Sequence, residues 1–307
     1  MTVGPGSPAP PSALHEGLLG RLHEMALAQP DAPERLAMCR FTTGMAVLRT
    51  IWHLPPGTFF AEYAPLLDQA EQQAEQQAVP RRVLAPEAYE LLRAVATLSV
   101  GAWTVGVDSP AVRALANLSF WALQQYVVEF HEDLWSYNSH LNLFLAALSL
   151  APPGRDRRVD SALLLTLQAY YAMVYLQSGV SKLVGAGRRW TDGRTLRAAW
   201  GELGTPLGKW LARRDLRLSG ALSALTLLFE LGFAPALVAA WPRRALLGGA
   251  SAAFHLAVKA TMGISFWHLS WFAAPLFSAP PALGRRLASA LYQPPPFVRQ
   301  GEPCPKN

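Results

Sequence analysis

LLLTLQAYYAMVYLQSGV, Leu163 to Val180, carries no formal charge over 18 residues. Crossing about 30 Å of hydrocarbon takes about 20 apolar residues, with about 17 to 25 tolerated, and the stretch 160–184 around this run has that length. A helix apolar on every face has no aqueous side, so its sequence implies a lipid solvent rather than a soluble core.

Outward from that run, further candidate spans lie near 36–54, 88–107, 111–130, 137–152, 217–241, 244–264 and 266–283. The fourth span in chain order (137–152) and the last are short, so a re-entrant course is an alternative for each. Gly263 marks the break inside the long apolar run from Ala245 to Gly284, which contains one charge, Lys259. The pattern predicts an all-α fold, a polytopic transmembrane helix bundle of about seven or eight spans. Its location is then integral to a membrane and multi-pass, the cell membrane in a bacterium.

Composition agrees. Residues are 51% hydrophobic and 16% charged, against about a quarter charged in an average soluble domain. The net charge of +6 comes mainly from Arg, with four Lys against 23 Arg. These arginines fall between apolar runs, where loops meet anionic headgroups, and that distribution argues for membrane lipid as a partner and against nucleic acid. Cys39 in an apolar run and Cys304 in the tail make neither a disulfide framework nor a cysteine metal site. The start, MTVGPGSPAPPSALHEGLLG, lacks the basic segment and long apolar core of a cleaved signal, so the first membrane helix is expected to direct insertion.

Residues 1–30 read as a tail with an interfacial helix over 12–28, 31–285 as the transmembrane domain and 286–307 as a second tail. A soluble surface helix is the alternative for 12–28. The segment 60–87, with DQAEQQAEQQ, reads as a solvated extramembrane stretch. Residues 185–217 hold eight Arg or Lys against three acids, with Trp190, Trp200 and Trp210 at ten-residue spacing. They read as a loop on the membrane surface. The basic loops do not agree on one orientation.

A charge near the bilayer centre costs at least about 2.5 kcal/mol, so ionisable residues in spans face a bundle interior and often mark function. Here they are His140, Lys182, Glu230, His255, Lys259 and His268. Lys182 reads either as a snorkelling ammonium near a helix end or as a base, because an apolar pocket disfavours the charged amine. His140, in WSYNSHLNLF, reads as a structural histidine or as one orienting a ligand or the base. Glu230 needs a partner such as Lys259 or an Arg. His255 and Lys259, four apart, share a helix face. No spacing supports a metal site. A transporter would need broken helices in two matching halves, and only the region of Gly263 offers one.

The stretch YAMVYLQSGVSKLVGAGRRWTDG, Tyr171 to Gly193, resembles a segment of the vitamin K-dependent gamma-glutamyl carboxylase family and of the wider HTTM (horizontally transferred transmembrane) domain superfamily. In those proteins a helix ends in a small-residue GVxKL pattern followed by Trp and Gly. Three further stretches agree in order: DAPERLAMCRF with Arg40, WSYNSHLNLF, and AAFHLAVKATMGISFW, Ala252 to Trp267. Together they cover about residues 30–285. The resemblance implies a catalytic Lys at Lys182 and a supporting His at His140, with Asn138, Trp190, Gly193 and His255 in the site or its scaffold.

It further implies a quinol-dependent carboxylase or epoxidase, a lyase acting with reduced vitamin K (a menaquinol-like quinol), oxygen and carbon dioxide, and no metal. Carboxylases of the family carry a large non-membrane domain after the helices that binds the substrate peptide, whereas this sequence has PFVRQGEPCPKN. Quinol oxygenation is therefore the expected activity, rather than processive carboxylation of a bound protein. The alternative is a non-catalytic HTTM membrane protein in the maturation or export of a small peptide, with a peptide, a small protein or another membrane subunit as partner.

Overall fold

The computed structural model describes residues 17–73, 83–130, 137–150, 156–239, 243–278 and 289. Among the described residues every regular element is helical, twelve α-helices and a 3₁₀ helix. The chain divides into two compact units, Met1–Ala32 with Asp156–Ala279, and Pro33–Arg155 with Pro280–Asn307. Residues 1–16, 74–82, 131–136, 151–155, 240–242, 279–288 and 290–307 lie outside the described residues, and with them parts of the expected tails, the end of the expected last span, the second half of DQAEQQAEQQ and Cys304.

The second unit holds α2 (Ala32–Trp52), α3 (Gly57–Gln73), α4 (Pro86–Thr104), α5 (Pro110–Val128) and α6 (Tyr137–Leu150). Pro at the first position starts both α4 and α5, where its missing N–H forfeits no helical bond. Ser109 caps α5 by accepting from the Val112 N–H. Phe60, Tyr89, Tyr126 and Phe130 form an aromatic core with ring centroids 5.0 to 5.4 Å apart. Arg40 is buried and staples the α4–α5 turn. It donates from Nε to the Trp103 carbonyl (2.8 Å) and from Nη2 to that of Val107 (3.2 Å), with its guanidinium 4.9 Å from the Trp103 ring centroid.

The first unit holds α1 (Leu18–Leu27), α7 (Arg157–Ala186), the 3₁₀ helix Gly187–Asp192, α8 (Arg194–Leu203), α9 (Pro206–Ala212), α10 (Leu216–Ala236), α11 (Ala245–Met262) and α12 (Trp267–Phe277). Helix α1, inside the stretch read as interfacial, packs on α7 with Met25 buried. The basic stretch 185–217 is not a loop. It is the end of α7, the 3₁₀ helix, α8 and α9, folded back on α10 and α11. Two glycines permit this. Gly193 has φ +81°, and a Cβ there would lie 2.3 Å from the Gly220 nitrogen; a Cβ on Gly208 would lie 2.0 Å from the Thr261 carbonyl oxygen. Thr205 completes the join, donating from its N–H to that carbonyl (3.0 Å) and from Oγ1 to the Ala260 carbonyl (2.6 Å).

Three helical stretches are long and apolar enough to cross a membrane, Arg157–Asp192, Leu216–Ala236 and Ala245–Met262. The expected seven or eight are reduced to three for two physical reasons. Helices α6 and α12 have 14 and 11 residues, short of the about 20 a bilayer needs. Helices α2, α4 and α5 are long enough but diluted, by Glu34, Arg35, Arg40 and Arg49, by Glu87, Glu90 and Arg93, and by Asn117, Gln124 and Gln125. The three that qualify turn apolar side chains outward: Met173, Leu225, Leu228, Leu246 and Leu256 are all exposed.

Candidate functional site

Although Leu163–Val180 carries no charge, α7 is not apolar on every face as its sequence suggests: one face is polar along its length. Gln168, Tyr171, Tyr175, Ser178 and Lys182 follow one another at spacings of three and four, which keeps them on a single stripe. The stripe faces α10 and α12. Gln168 donates from Nε2 to the Leu276 carbonyl (2.6 Å) and Tyr171 from its hydroxyl to that of Leu269 (2.9 Å), so α12 is tied to α7 at two levels.

At the far end of the stripe lies Lys182. Its Nζ donates to both carboxylate oxygens of Glu230 on α10, at 2.6 and 2.8 Å, and to the Ser178 hydroxyl at 2.6 Å. Ser178 in turn donates to Glu230 Oε1 at 3.0 Å. Glu230 is almost wholly enclosed, with 4% of its side chain exposed, and Lys182 retains 21%. The helices meet closely here because residue 179 is glycine: a Cβ there would fall 2.9 Å from Leu231 Cδ2 and 3.1 Å from Glu230 Cβ. The indole of Trp190, on the 3₁₀ helix, covers the amine with its centroid 5.3 Å from Nζ. The ammonium thus has a carboxylate, a hydroxyl and an aromatic face as neighbours.

No family model, curated protein or solved structure matches this chain.

A second polar cluster occupies the middle of the stripe. Tyr171 lies 2.5 Å from Ser251 Oγ, Ser251 Oγ 2.7 Å from the Tyr175 hydroxyl, and that hydroxyl 2.7 Å from His255 Nε2. Phe229, Phe233, Phe254 and Phe277 close around the two tyrosines. His255 also lines a groove of about 250 Å³ between α11 and α12, shared with Lys259, Phe266, Trp267, Ser270 and Trp271.

Of the residues singled out from sequence, Lys182 and Trp190 come together, joined by Glu230, whose partner is Lys182 rather than Lys259 or an arginine. His255 shares helix α7's polar stripe with them through Tyr175. His140 belongs to the other unit, half-buried on α6, and the side chain of Asn138 lies outside the described residues. Tyr171, Tyr175 and Ser178 are additional polar members of the site that their three-and-four spacing on α7 marks in the sequence, and Ser251 joins them from α11 with no such signal. Among the described residues no three His, Cys, Asp or Glu side chains cluster as metal ligands.

Proposed function

We propose that this is a multi-pass membrane enzyme, resembling vitamin K-dependent gamma-carboxylases of the HTTM kind, that oxygenates a lipid-soluble quinol with Lys182 as its base. The short α6 and α12 and the more polar α2, α4 and α5 join the three long apolar helices to make the seven or eight crossings, in the cell membrane if the host is a bacterium. Lipid as solvent is supported by the outward leucines of α10 and α11, because exposed apolar area on that scale is unfavourable against water.

The observation that carries the reading is the Lys182–Glu230 contact. Both carboxylate oxygens of Glu230 lie within proton-transfer distance of Nζ, at 2.6 and 2.8 Å, so an acceptor for the amine's proton is already in place. Passage of one proton from Nζ to Glu230 leaves an amine lone pair next to the flat face of Trp190. That aromatic surface fits a ring-shaped cofactor, and a reduced quinone supplies an acidic hydroxyl and reducing electrons there. Glu230 holds the displaced proton, Ser178 fixes the amine's direction, and the close approach at Gly179 encloses Glu230 while a fifth of Lys182 stays open to a ligand. His140 and Asn138 remain proposed as supporting and cofactor-side residues; carbon dioxide and a peptide or small protein enter only where the oxygenation drives a carboxylation.

Purified protein in lipid nanodiscs, given reduced vitamin K and oxygen, is expected to form the epoxide, and Lys182→Ala to abolish it. Absence of epoxide from the wild type, or equal turnover by Lys182→Ala, rejects the enzyme. One observation favours the alternative, a non-catalytic partner in peptide maturation or export: both Glu230 oxygens and Ser178 already occupy the amine, as in a purely structural pair. Co-purification with a second membrane subunit from the native host would support that reading.

A further inference from the structure

The three long apolar helices come together at one end. Helix α7 runs into the 3₁₀ helix, Gly193 after it packs against Gly220 in the first turns of α10, and Gly208 of α9 packs against Thr261 in the last turn of α11. Residues 187–217 thus sit at the end of the spans, the level at which a bilayer has its headgroups. Their eight Arg or Lys against three acids gather into one cationic end.

That end contains a groove of about 530 Å³, lined by Arg194, Arg197, Ala198 and Gly201 of α8, Ala212 of α9 and Leu216 of α10. None of these lining residues is acidic, and the small ones leave the arginines room. Arg194 and Arg197 are three apart and share one face of α8. Arg197 is held in place, its Nε donating to the Ala212 carbonyl at 2.7 Å, which leaves both terminal nitrogens as donors. Arg194 is 80% exposed, and its Nε lies 3.8 Å from Asp192 Oδ2, beyond hydrogen-bond reach. Asp215 is engaged elsewhere, accepting from the Arg217 N–H at 2.9 Å. Guanidinium groups pair with phosphate oxygens two at a time. A zwitterionic headgroup would bring its own cation against the arginines. The depth of the groove favours a lipid as the source of the phosphate, and α10 turns Leu218, Leu225 and Leu228 outward along its length.

We infer that the groove between α8, α9 and α10 is a binding site for the phosphodiester of an anionic glycerophospholipid, held by the Arg194 and Arg197 guanidinium groups. The inference rests on the membrane reading above, and nothing in it depends on Lys182 acting as a base.

Native mass spectrometry of the full-length protein, delipidated in a mild detergent, compares phosphatidylglycerol with phosphatidylcholine of the same acyl chains. Wild type should bind its first phosphatidylglycerol more tightly than its first phosphatidylcholine. Arg194→Gln combined with Arg197→Gln should weaken phosphatidylglycerol about 30-fold, about fivefold for each arginine at a membrane surface. Arg188→Gln combined with Arg189→Gln removes the same charge from exposed positions outside the groove and should weaken it by less than about fivefold. Equal binding of the two lipids by wild type, or equal losses in the two double variants, overturns the site. Displacement of phosphatidylglycerol by millimolar inorganic phosphate would make free phosphate the ligand and overturn the lipid assignment. If loss of the Ala212 bond unfolds the first double variant, Arg194→Gln alone decides, by a loss of about fivefold or by none. Since the readout is lipid binding, failure here leaves the Lys182 assay untouched, and the reverse.

Discussion

Gly179 on α7 and Glu230 on α10 sit so close that a Cβ on the glycine would lie 3.1 Å from the glutamate Cβ. The helix approach that encloses Glu230 is thus set by the absence of one side chain. Gly179→Leu should wedge the helices apart, destabilise the protein by about 1 to 3 kcal/mol and loosen the Lys182–Glu230 pair. In that background Lys182→Met should have little additional effect. Thermal unfolding of the two single variants and the double variant checks this; fully additive losses would mean that the glycine does not hold the pair together.

Removing one member of the pair leaves the other desolvated and uncompensated. Lys182→Met or Glu230→Leu alone should lower stability by about 2 to 3 kcal/mol, less than for a fully enclosed pair because Lys182 keeps a fifth of its surface exposed. The double substitution should recover most of that loss. Denaturation midpoints in mild detergent provide the cycle, and a double variant as weak as the sum of the singles would argue against direct coupling.

Tyr175→Phe deletes the hydroxyl that links Ser251 to His255 while keeping the ring among Phe229, Phe233 and Phe254. Two polar atoms then lose their partner in an apolar setting, and a loss of about 1 to 3 kcal/mol follows. Ser251→Ala should cost less in that background than in wild type, since its contact with Tyr175 is already gone and only the one with the Tyr171 hydroxyl remains to be lost. Thermal shifts of the three variants are the measurement.

Spin labels on Leu228→Cys and Leu256→Cys report what surrounds the outward faces of α10 and α11, where both leucines are exposed. In reconstituted protein, collisions with dissolved oxygen should exceed those with a water-soluble nickel chelate. The opposite order at both sites would mean that these faces meet water, and the membrane reading would fail with it.

Much of the architecture was legible in the sequence because apolar run length is a local property. The runs at 160–184, 217–241 and 244–264 became α7, α10 and α11, and the break expected at Gly263 is the left-handed C-cap of α11, with φ +73°. Less legible were the short helices. The 3₁₀ helix, α8 and α9 total 23 residues across three elements (6, 10 and 7), too short for a periodicity that separates them from a basic loop. The partner of Glu230 was missed for a different reason. Lys182 is 48 residues away, and which acid an amine meets depends on how far α10 slides along α7, which Gly179 decides through packing rather than pattern. The tyrosine chain combined both difficulties: its spacing on α7 was visible, but Ser251 and the Leu269 carbonyl arrive from helices whose registers no local signal encodes.

The join of Thr205 and Gly208 to the last turn of α11 has a mechanical consequence. With two hydrogen bonds and a near backbone contact, α9 and the end of α11 behave as one rigid lever. Tilting of α11, on which His255 rides, must drag α9 and the neighbouring arginine-bearing α8 with it, so that events deep among the helices are geared to the basic segment at their end.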